Sequence, residues 1–377
     1  MKETFCCPCL LGVEGLVAEE LRDMGCENVQ AENGRVLFTG DMQMAARVNI
    51  QSRIAERVLI LAGKFEAKTF EQLFEQVKMI EWEKYLPKDA EFPVSGSSLN
   101  SALYSIPDCQ AIIKKAIVER LRQKYHIDWF AETGSLYRVR FQIMKDAVSV
   151  MIDMSGEGLH KRGYRKKSSD APIKETLAAA MVKLVRVRDD GNFIDPFCGS
   201  GTLPIEAAMR AMNIAPGINR RFAAEKWRQI PAQEWAKERE LARDMEKRNV
   251  TFHASGYDID QEMIALTLAN AKKAGVDTHI SAEIRDIKDF DTSAEYGCVI
   301  CNPPYGERLL NIQEAERLYR TMGAKFTQKR GWSYAIISPS EEFEKLFGRK
   351  ADKNRKLYNG MIKCQMFMYF KWQKGIR

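Results

Sequence analysis

The sequence holds a short run of residues whose types and spacing suit one particular chemistry. Asn302-Pro303-Pro304-Tyr305-Gly306 follows Cys298–Asn302, an apolar run that reads as a strand. An exocyclic amine on a nucleobase is a poor nucleophile, because its lone pair is delocalised into the ring. The Asn302 side-chain oxygen and the Pro303 carbonyl offer two acceptors, one for each N–H of such an amine. Both bonds together favour a tetrahedral nitrogen with its lone pair aimed at a methyl group. The prolines fix the backbone of the turn, and Tyr305 offers a face for stacking an extruded base. The catalysis expected is positioning with preorganised dipoles, without a covalent nucleophile. The bland alternative is a rigid loop and nothing more.

A second constellation lies upstream. Asp195-Pro196-Phe197-Cys198-Gly199-Ser200-Gly201-Thr202 stands where a strand candidate gives way to a helix candidate. Open α/β sheets bind ligands beyond the carboxyl ends of their strands, at a topological switch point. The glycines permit a tight turn and close approach of a ligand to backbone, and Thr202 is expected to cap the helix. A dinucleotide fingerprint needs a third glycine where Pro204 stands, and a phosphate loop needs a lysine that is missing. An acidic residue ahead of a glycine turn suits a cationic amine, as in the methionine part of S-adenosylmethionine. Asp258, with Ile259 after it, closes the next strand candidate and suits ribose hydroxyls. Asp286, followed by Ile287, closes a third and suits an adenine amine. Any one of these aspartates alone could be only a helix cap; three at successive strand ends favour a ligand.

These residues need a scaffold, and the rest of the chain supplies the signals for one. From Gly156 to Arg377 apolar strand candidates alternate with amphipathic helices, the pattern of a doubly wound α/β sheet. The strands expected are Asn192–Phe197, Ala254–Asp258, Ile280–Asp286, Cys298–Asn302, Tyr334–Ser338 and Met361–Lys371, with helices at Thr202–Met212, Gln261–Ala274, Ala315–Phe326 and Glu341–Phe347. The charged stretch Asn213–Val250 reads as an insertion. Ahead of it, residues 1–64 read as a small α+β unit and 65–155 as another. In the latter Gln110–Tyr125 is an amphipathic helix, and Tyr137–Ile143 and Ala147–Asp153 are strands joined at Lys145-Asp146.

At 377 residues the chain fits two or three domains, and 45% hydrophobic residues suffice for real cores. The net charge of +7 fits a polyanionic partner. No stretch of about 18 apolar residues occurs, so no membrane span is expected, and the N-terminus lacks a signal-peptide pattern; a cytoplasmic location follows by default. Two Cys-x-x-Cys spacings, Cys6/Cys9 and Cys298/Cys301, raise zinc. On a strand, positions three apart face opposite ways, so the reading is buried reduced thiols and no metal.

With these motifs in place, the region 156–377 resembles class I methyltransferases bearing an (Asn/Asp/Ser)-Pro-Pro-Tyr motif. The whole chain resembles the THUMP-containing RNA methyltransferases, in particular the bacterial large-subunit ribosomal RNA guanine-N2 family. The stretches that carry the likeness include Ile106–Gln110, Asp153–Arg165 and Ala171–Ala179. The resemblance implies a Rossmann-like class I methyltransferase with a mostly parallel seven-stranded sheet, preceded by an α+β ferredoxin-like/THUMP region. The domains it implies are 1–64 ferredoxin-like, 65–155 THUMP, 156–170 a basic linker and 171–377 methyltransferase. It also implies that Ala171–Leu177, Thr176 included, borders the cofactor pocket. Cys301 departs from the residue that often precedes such motifs.

The activity expected is S-adenosylmethionine-dependent methylation of an RNA base amine, N2 of guanosine in 23S ribosomal RNA. The same chemistry on transfer RNA, or at adenine N6, is the near alternative, and a protein glutamine a more distant one. A non-catalytic RNA-binding or ribosome assembly factor is the alternative of another class. The basic run Lys161, Arg162, Tyr164, Arg165, Lys166 and Lys167 is a candidate RNA contact; its rivals are a solvated linker and pairing with the protein's own acids. Arg349–Lys356 reads as plain charged surface.

Overall fold

The computed structural model describes residues 2–165, 173–291, 293–305, 312–326 and 330–370. The chain divides into two compact units, the first of residues 1–9, 17–159 and 221–241, the second of residues 10–16, 160–220 and 242–377.

The first unit is built on one seven-stranded sheet. Its elements in chain order are β1 (Glu3–Pro8), α1 (Glu14–Asp23, begun in the second unit), β2 (Glu27–Glu32), β3 (Arg35–Gly40), α2 (Met42–Gln51), β4 (Leu59–Glu66), α3 (Phe70–Met79), β5 (Val94–Leu99), α4 (Ile106–Tyr125), β6 (Val139–Met144) and β7 (Ala147–Asp153). The spatial order is β2-β3-β1-β4-β7-β6-β5. Only β5 and β6 pair in parallel. Asp41 caps α2 by accepting from the Met44 amide at 2.7 Å, and Thr69 caps α3. Both residues of the Lys145-Asp146 turn have positive φ, matching the twist of the β6–β7 hairpin. β4 runs across the expected boundary at residues 64/65 and pairs with β1 on one side and β7 on the other. The two N-terminal zones therefore share a sheet.

The segment read as an insertion is divided. Residues 221–241 count with the first unit. There Trp227 stacks on Tyr137 with ring centroids 4.5 Å apart, and Glu238 takes two hydrogen bonds from Arg47, at 2.8 and 3.1 Å. The sequence shows this segment as charged; only the fold shows that its charges have partners.

The second unit holds α5 (Glu175–Val185), β8 (Asn192–Asp195), α6 (Thr202–Ala211), most of α7 (Ala232–Asp244) outside it, β9 (His253–Asp258), α8 (Gln261–Ala274), β10 (Ile280–Ile284), β11 (Gly297–Cys301), α9 (Ile312–Lys325), β12 (Trp332–Ser338), α10 (Phe343–Phe347), β13 (Lys353–Asn359) and β14 (Ile362–Tyr369). Its sheet order is β10-β9-β8-β11-β12-β14-β13. The first five strands are parallel and β14 runs antiparallel between β12 and β13. The order reverses between β8 and β11, which is the switch point where such sheets bind ligands. A core of Val299, Ile336, Phe326, Phe343, Phe347 and Phe367 fills one side; Phe343 stacks on Phe367 at 4.5 Å.

Only one strand was expected after β12, yet there are two. β13 carries Lys353, Arg355 and Lys356 and buries little besides Leu357. Charged, edge-strand composition of this kind hides the strand in the sequence and blunts the sheet edge in the fold. Among the described residues no helix is long and apolar enough to cross a membrane.

Candidate active site

The carboxyl ends of β8, β9 and β11 lie side by side, with Asp195 opposite Gly256 and Val299 opposite Ile194 in register. Asp195 is buried, and its Oδ1 accepts from the Phe197 amide at 3.1 Å. Burial, reinforced by the negative charge of Asp258, pushes its carboxyl well above the usual carboxylate range; the Phe197 amide opposes that only in part.

Gly201 has φ +81°, and a Cβ there would stand 2.8 Å from the Thr267 side chain, so the turn tolerates no larger residue. Gly201 is also the N-cap of α6. This corrects the expectation for Thr202, which is the first helical residue; its hydroxyl instead accepts from Arg165 at 3.1 Å. Thr202 cannot cap because the glycine turn already supplies the non-helical residue ahead of it.

Asp258 holds the loop from the neighbouring strand. Its Oδ2 accepts from the Gly199 amide at 2.9 Å and its Oδ1 from the Asp260 amide at 3.1 Å. Two residues that the sequence reading missed complete the clamp. Thr267 donates to the Gly199 carbonyl at 2.8 Å, and Asn270 donates to the Ser200 carbonyl at 3.0 Å. Both are fully buried on α8, and a polar pair three apart on the inner face of an amphipathic helix was their sequence signal. Cys198 lies with its sulfur 3.7 Å from the Thr267 hydroxyl, and burial pushes its thiol up, so it is no nucleophile. Phe197 packs on the core and Ser200 is buried.

Ile259 stands largely exposed just past Asp258. Asp286 lies two residues beyond the end of β10 and caps a single helical turn through the Lys288 amide at 2.9 Å, while Ile287 is buried. The capping role named as its alternative is thus present. Thr176 is buried in the first turn of α5.

Asn302 follows β11 directly. Its Oδ1 is buried and has no hydrogen-bond partner among the described residues, an arrangement that folded proteins rarely tolerate without a functional reason. Pro303 is buried, Pro304 and Tyr305 half-buried, and Gly306 lies outside the described residues. The Tyr305 hydroxyl accepts from Asn359 Nδ2 at 2.7 Å and lies 3.7 Å from the Cys364 sulfur. Burial holds its phenol above the ordinary range, so it is neutral near pH 7.

The basic run departs from the RNA-contact expectation. Arg162 is buried against Glu206, with contacts of 3.3 and 3.4 Å, and Tyr164 donates to the same carboxylate at 3.1 Å. Arg165 pairs with Glu175 at 2.9 Å and also donates to the Ile173 carbonyl. These three side chains satisfy buried acids, since a charge removed from water needs a partner, and so do not face phosphates. Lys161 is exposed, whereas Lys166, Lys167, Ala171 and Pro172 lie outside the described residues. No group of three or more His, Cys, Asp or Glu side chains among the described residues could hold a metal ion.

A model of the RMKL-like methyltransferase domain matches residues 162–367, more than half the chain and the whole of the site just described. This chain belongs to the RMKL-like methyltransferases. The ferredoxin-like domain of RlmL matches residues 4–59 and the THUMP domain residues 67–153. A putative RNA methyltransferase of Bacillus subtilis (strain 168), YpsC, is 43% identical over 99% of this chain and 97% of its own length. The ribosomal RNA large subunit methyltransferase K/L of Syntrophotalea carbinolica is 33% identical over 95% of this chain and 52% of its own length, so the chain spans about half of that relative. The crystal structure of SMU.472, a putative methyltransferase complexed with SAH, superposes with a TM-score of 0.94 at 40% identity, covering 99% of both chains. This RMKL-like protein is an S-adenosylmethionine-dependent methyltransferase.

Proposed function

We propose that this chain methylates an exocyclic amine of an RNA base, N2 of a guanosine in 23S ribosomal RNA. The observation that carries the reading is the buried Asn302 Oδ1 at the switch point, which has no hydrogen-bond partner among the described residues. An acceptor left empty in the protein costs stability and is of use only to an N–H brought by the substrate. The choice of RNA leans on the THUMP match and on the names of the K/L and YpsC relatives.

The residues fit the cofactor. Asp195, buried beside the half-buried Asp258 and with no cation in its electrostatic surroundings among the described residues, would receive the amine of the methionine part. Asp258 retains acceptor capacity on each oxygen beyond its two amide bonds and would take the ribose hydroxyls. Ile259, Ile287 and Asp286 would border the adenine, with Thr176 and the run Phe197–Thr202 lining the remainder. S-adenosylmethionine, when bound, supplies an electrophilic methyl group.

The chain's own residues prepare the acceptor. Asn302 Oδ1 takes one amine N–H and the Pro303 carbonyl the other, turning the nitrogen lone pair out of the ring. The amine nitrogen would gain a bond to the methyl carbon as that carbon's bond to the cofactor sulfur breaks, leaving S-adenosylhomocysteine, and one proton would pass from the nitrogen to solvent. Tyr305, neutral and held by Asn359, stacks on the base and accepts no proton.

The test is transfer from labelled cofactor to total RNA of cells lacking the protein, followed by nucleoside digestion and mass spectrometry. N2-methylguanosine in large-subunit RNA is the expected product. Label in transfer RNA or in N6-methyladenosine would replace the substrate assignment, and no label in any RNA would end it. Asn302→Ala is expected to bind SAH normally and to lose roughly 10²–10³ in kcat; an undiminished rate would sink the role given to Asn302.

A further inference from the structure

The β13–β14 hairpin lies next to the Asn-Pro-Pro-Tyr turn, and the reading above leaves it without a task beyond holding Tyr305. Its sequence, Lys353–Lys363, carries four cations and no acid. Lys353, Lys356 and Lys363 are exposed, and none makes an ion pair among the described residues. Asn359 pairs with Ile362 across the turn, which places Gly360 and Met361 alone at the tip. Met361 is 97% exposed, the highest exposure of any large apolar side chain described, and Ile362 beside it is 48% exposed.

This tip is not a loose end. Asn359 at its base donates to the Tyr305 hydroxyl at 2.7 Å, and Cys364 on the return strand lies 3.7 Å from the same oxygen. Further down, Arg355 donates to the Gly12 carbonyl at 2.8 Å. Gly12 has φ +93°, and a Cβ there would stand 2.6 Å from the Lys356 carbonyl, so the backbones are in direct contact. The hairpin is thus tied to the catalytic turn on one side and to residues 10–16 on the other, and presents a bare thioether between lysines.

A base held in a folded RNA must leave its stack before its amine can be reached, and that step costs a few kcal/mol. Proteins that open a stack commonly insert an apolar side chain, Met among them, beside the vacated position and hold the flanking phosphates with cations. A second copy of this chain would gain nothing from meeting three exposed lysines that have no ion pair among the described residues, whereas a polyanion would. We propose that the β13–β14 hairpin is an RNA wedge: Met361 enters the stack next to the target base, and Lys356 and Lys363 hold the adjacent phosphates. Tyr305 then receives the extruded base, because Asn359 fixes the distance between wedge and catalytic turn.

This inference rests on the RNA reading above, and its test separates the two. Total ribosomal RNA from cells lacking the protein is the probe, with the full chain and its cofactor. If the wild-type chain labels no RNA, the RNA reading and the wedge fall together. If it does, Met361→Ala is expected to lower kcat/KM for RNA at least tenfold, with SAH affinity and thermal midpoint unchanged, and Met361→Leu to restore most of it. A Met361→Ala rate within twofold of wild type overturns the wedge alone. Lys356→Ala with Lys363→Ala is expected to raise KM for RNA about tenfold at unchanged kcat and to flatten its salt dependence by about two phosphate contacts; an unchanged KM and salt slope overturn the phosphate contacts.

Discussion

Two buried carboxylates in the second unit, Asp195 and Glu206, invite comparison. Each is about 1% exposed, and they flank the same glycine turn, Asp195 at the end of β8 and Glu206 one turn into α6. Glu206 is closed within the protein, with Arg162 at 3.3 Å and the Tyr164 hydroxyl at 3.1 Å. Among the described residues Asp195 has a single amide donor, another aspartate in its surroundings and no cation. The first arrangement satisfies itself and locks residues 160–165 onto α6. The second is the one proposed above to be completed by the cofactor amine. In that proposal a buried acid with its arginine present is scaffold, and a buried acid that meets no cation among the described residues belongs to the site.

That contrast can be broken experimentally, because the two acids predict opposite signs. The largest effect belongs to Glu206→Ala, which strands the Arg162 guanidinium in the interior. It is expected to lower unfolding stability by about 3–5 kcal/mol, read as a lower denaturant midpoint, with SAH present or absent. Equal stability would show that the pair is not closed in solution.

Asp195→Asn comes next and should do the reverse to the free protein. A carboxyl whose folded pKa is raised is harmless below its unfolded pKa and destabilises as pH rises through the folded value. Removing its charge is therefore expected to raise the thermal midpoint of the cofactor-free chain at pH 7 and above, with the difference vanishing below about pH 4. The same substitution is expected to weaken SAH binding by roughly 10–100-fold, in line with losing a charged hydrogen bond of about 1.5–3 kcal/mol; calorimetry across pH reads both. A variant that binds SAH as tightly as wild type would remove Asp195 from the cofactor site.

The smallest effect sharpens the comparison. Thr267→Val keeps the shape of the α8 wall but removes the bond to the Gly199 carbonyl. It is expected to cost about 1 kcal/mol in stability and to weaken SAH binding severalfold, since the loop that faces the cofactor loses one of its ties. A change in stability with no change in SAH affinity would make Thr267 a packing residue only.

The legible part of this protein was its α/β unit. Helix α8 was read at its full extent, and β11, which Asn302 follows, was found because a parallel strand buried on both faces appears as a short apolar run. β13 was not found, because an exposed edge strand carries the charges of an ordinary surface. The run at Arg162–Arg165 left RNA contact and pairing with the protein's own acids both open for a related reason: sequence shows charge but not whether an opposite charge awaits it in the fold, and the fold shows the second. Thr267 and Asn270 were overlooked because a helix pattern records which positions face inward, not what they face.

By itself, then, the sequence determined the alternation of elements, the glycine turn with its acid, and the Asn-Pro-Pro-Tyr turn, since each depends on residues adjacent in the chain. Only the tertiary structure decided that residues 221–241 belong to the first unit, that Glu206 neutralises Arg162, and that Asn359 holds Tyr305 beside a bare hairpin tip. Those facts join residues 44 to 191 positions apart, and such pairings arise from the packing of one element against another, which no local pattern encodes.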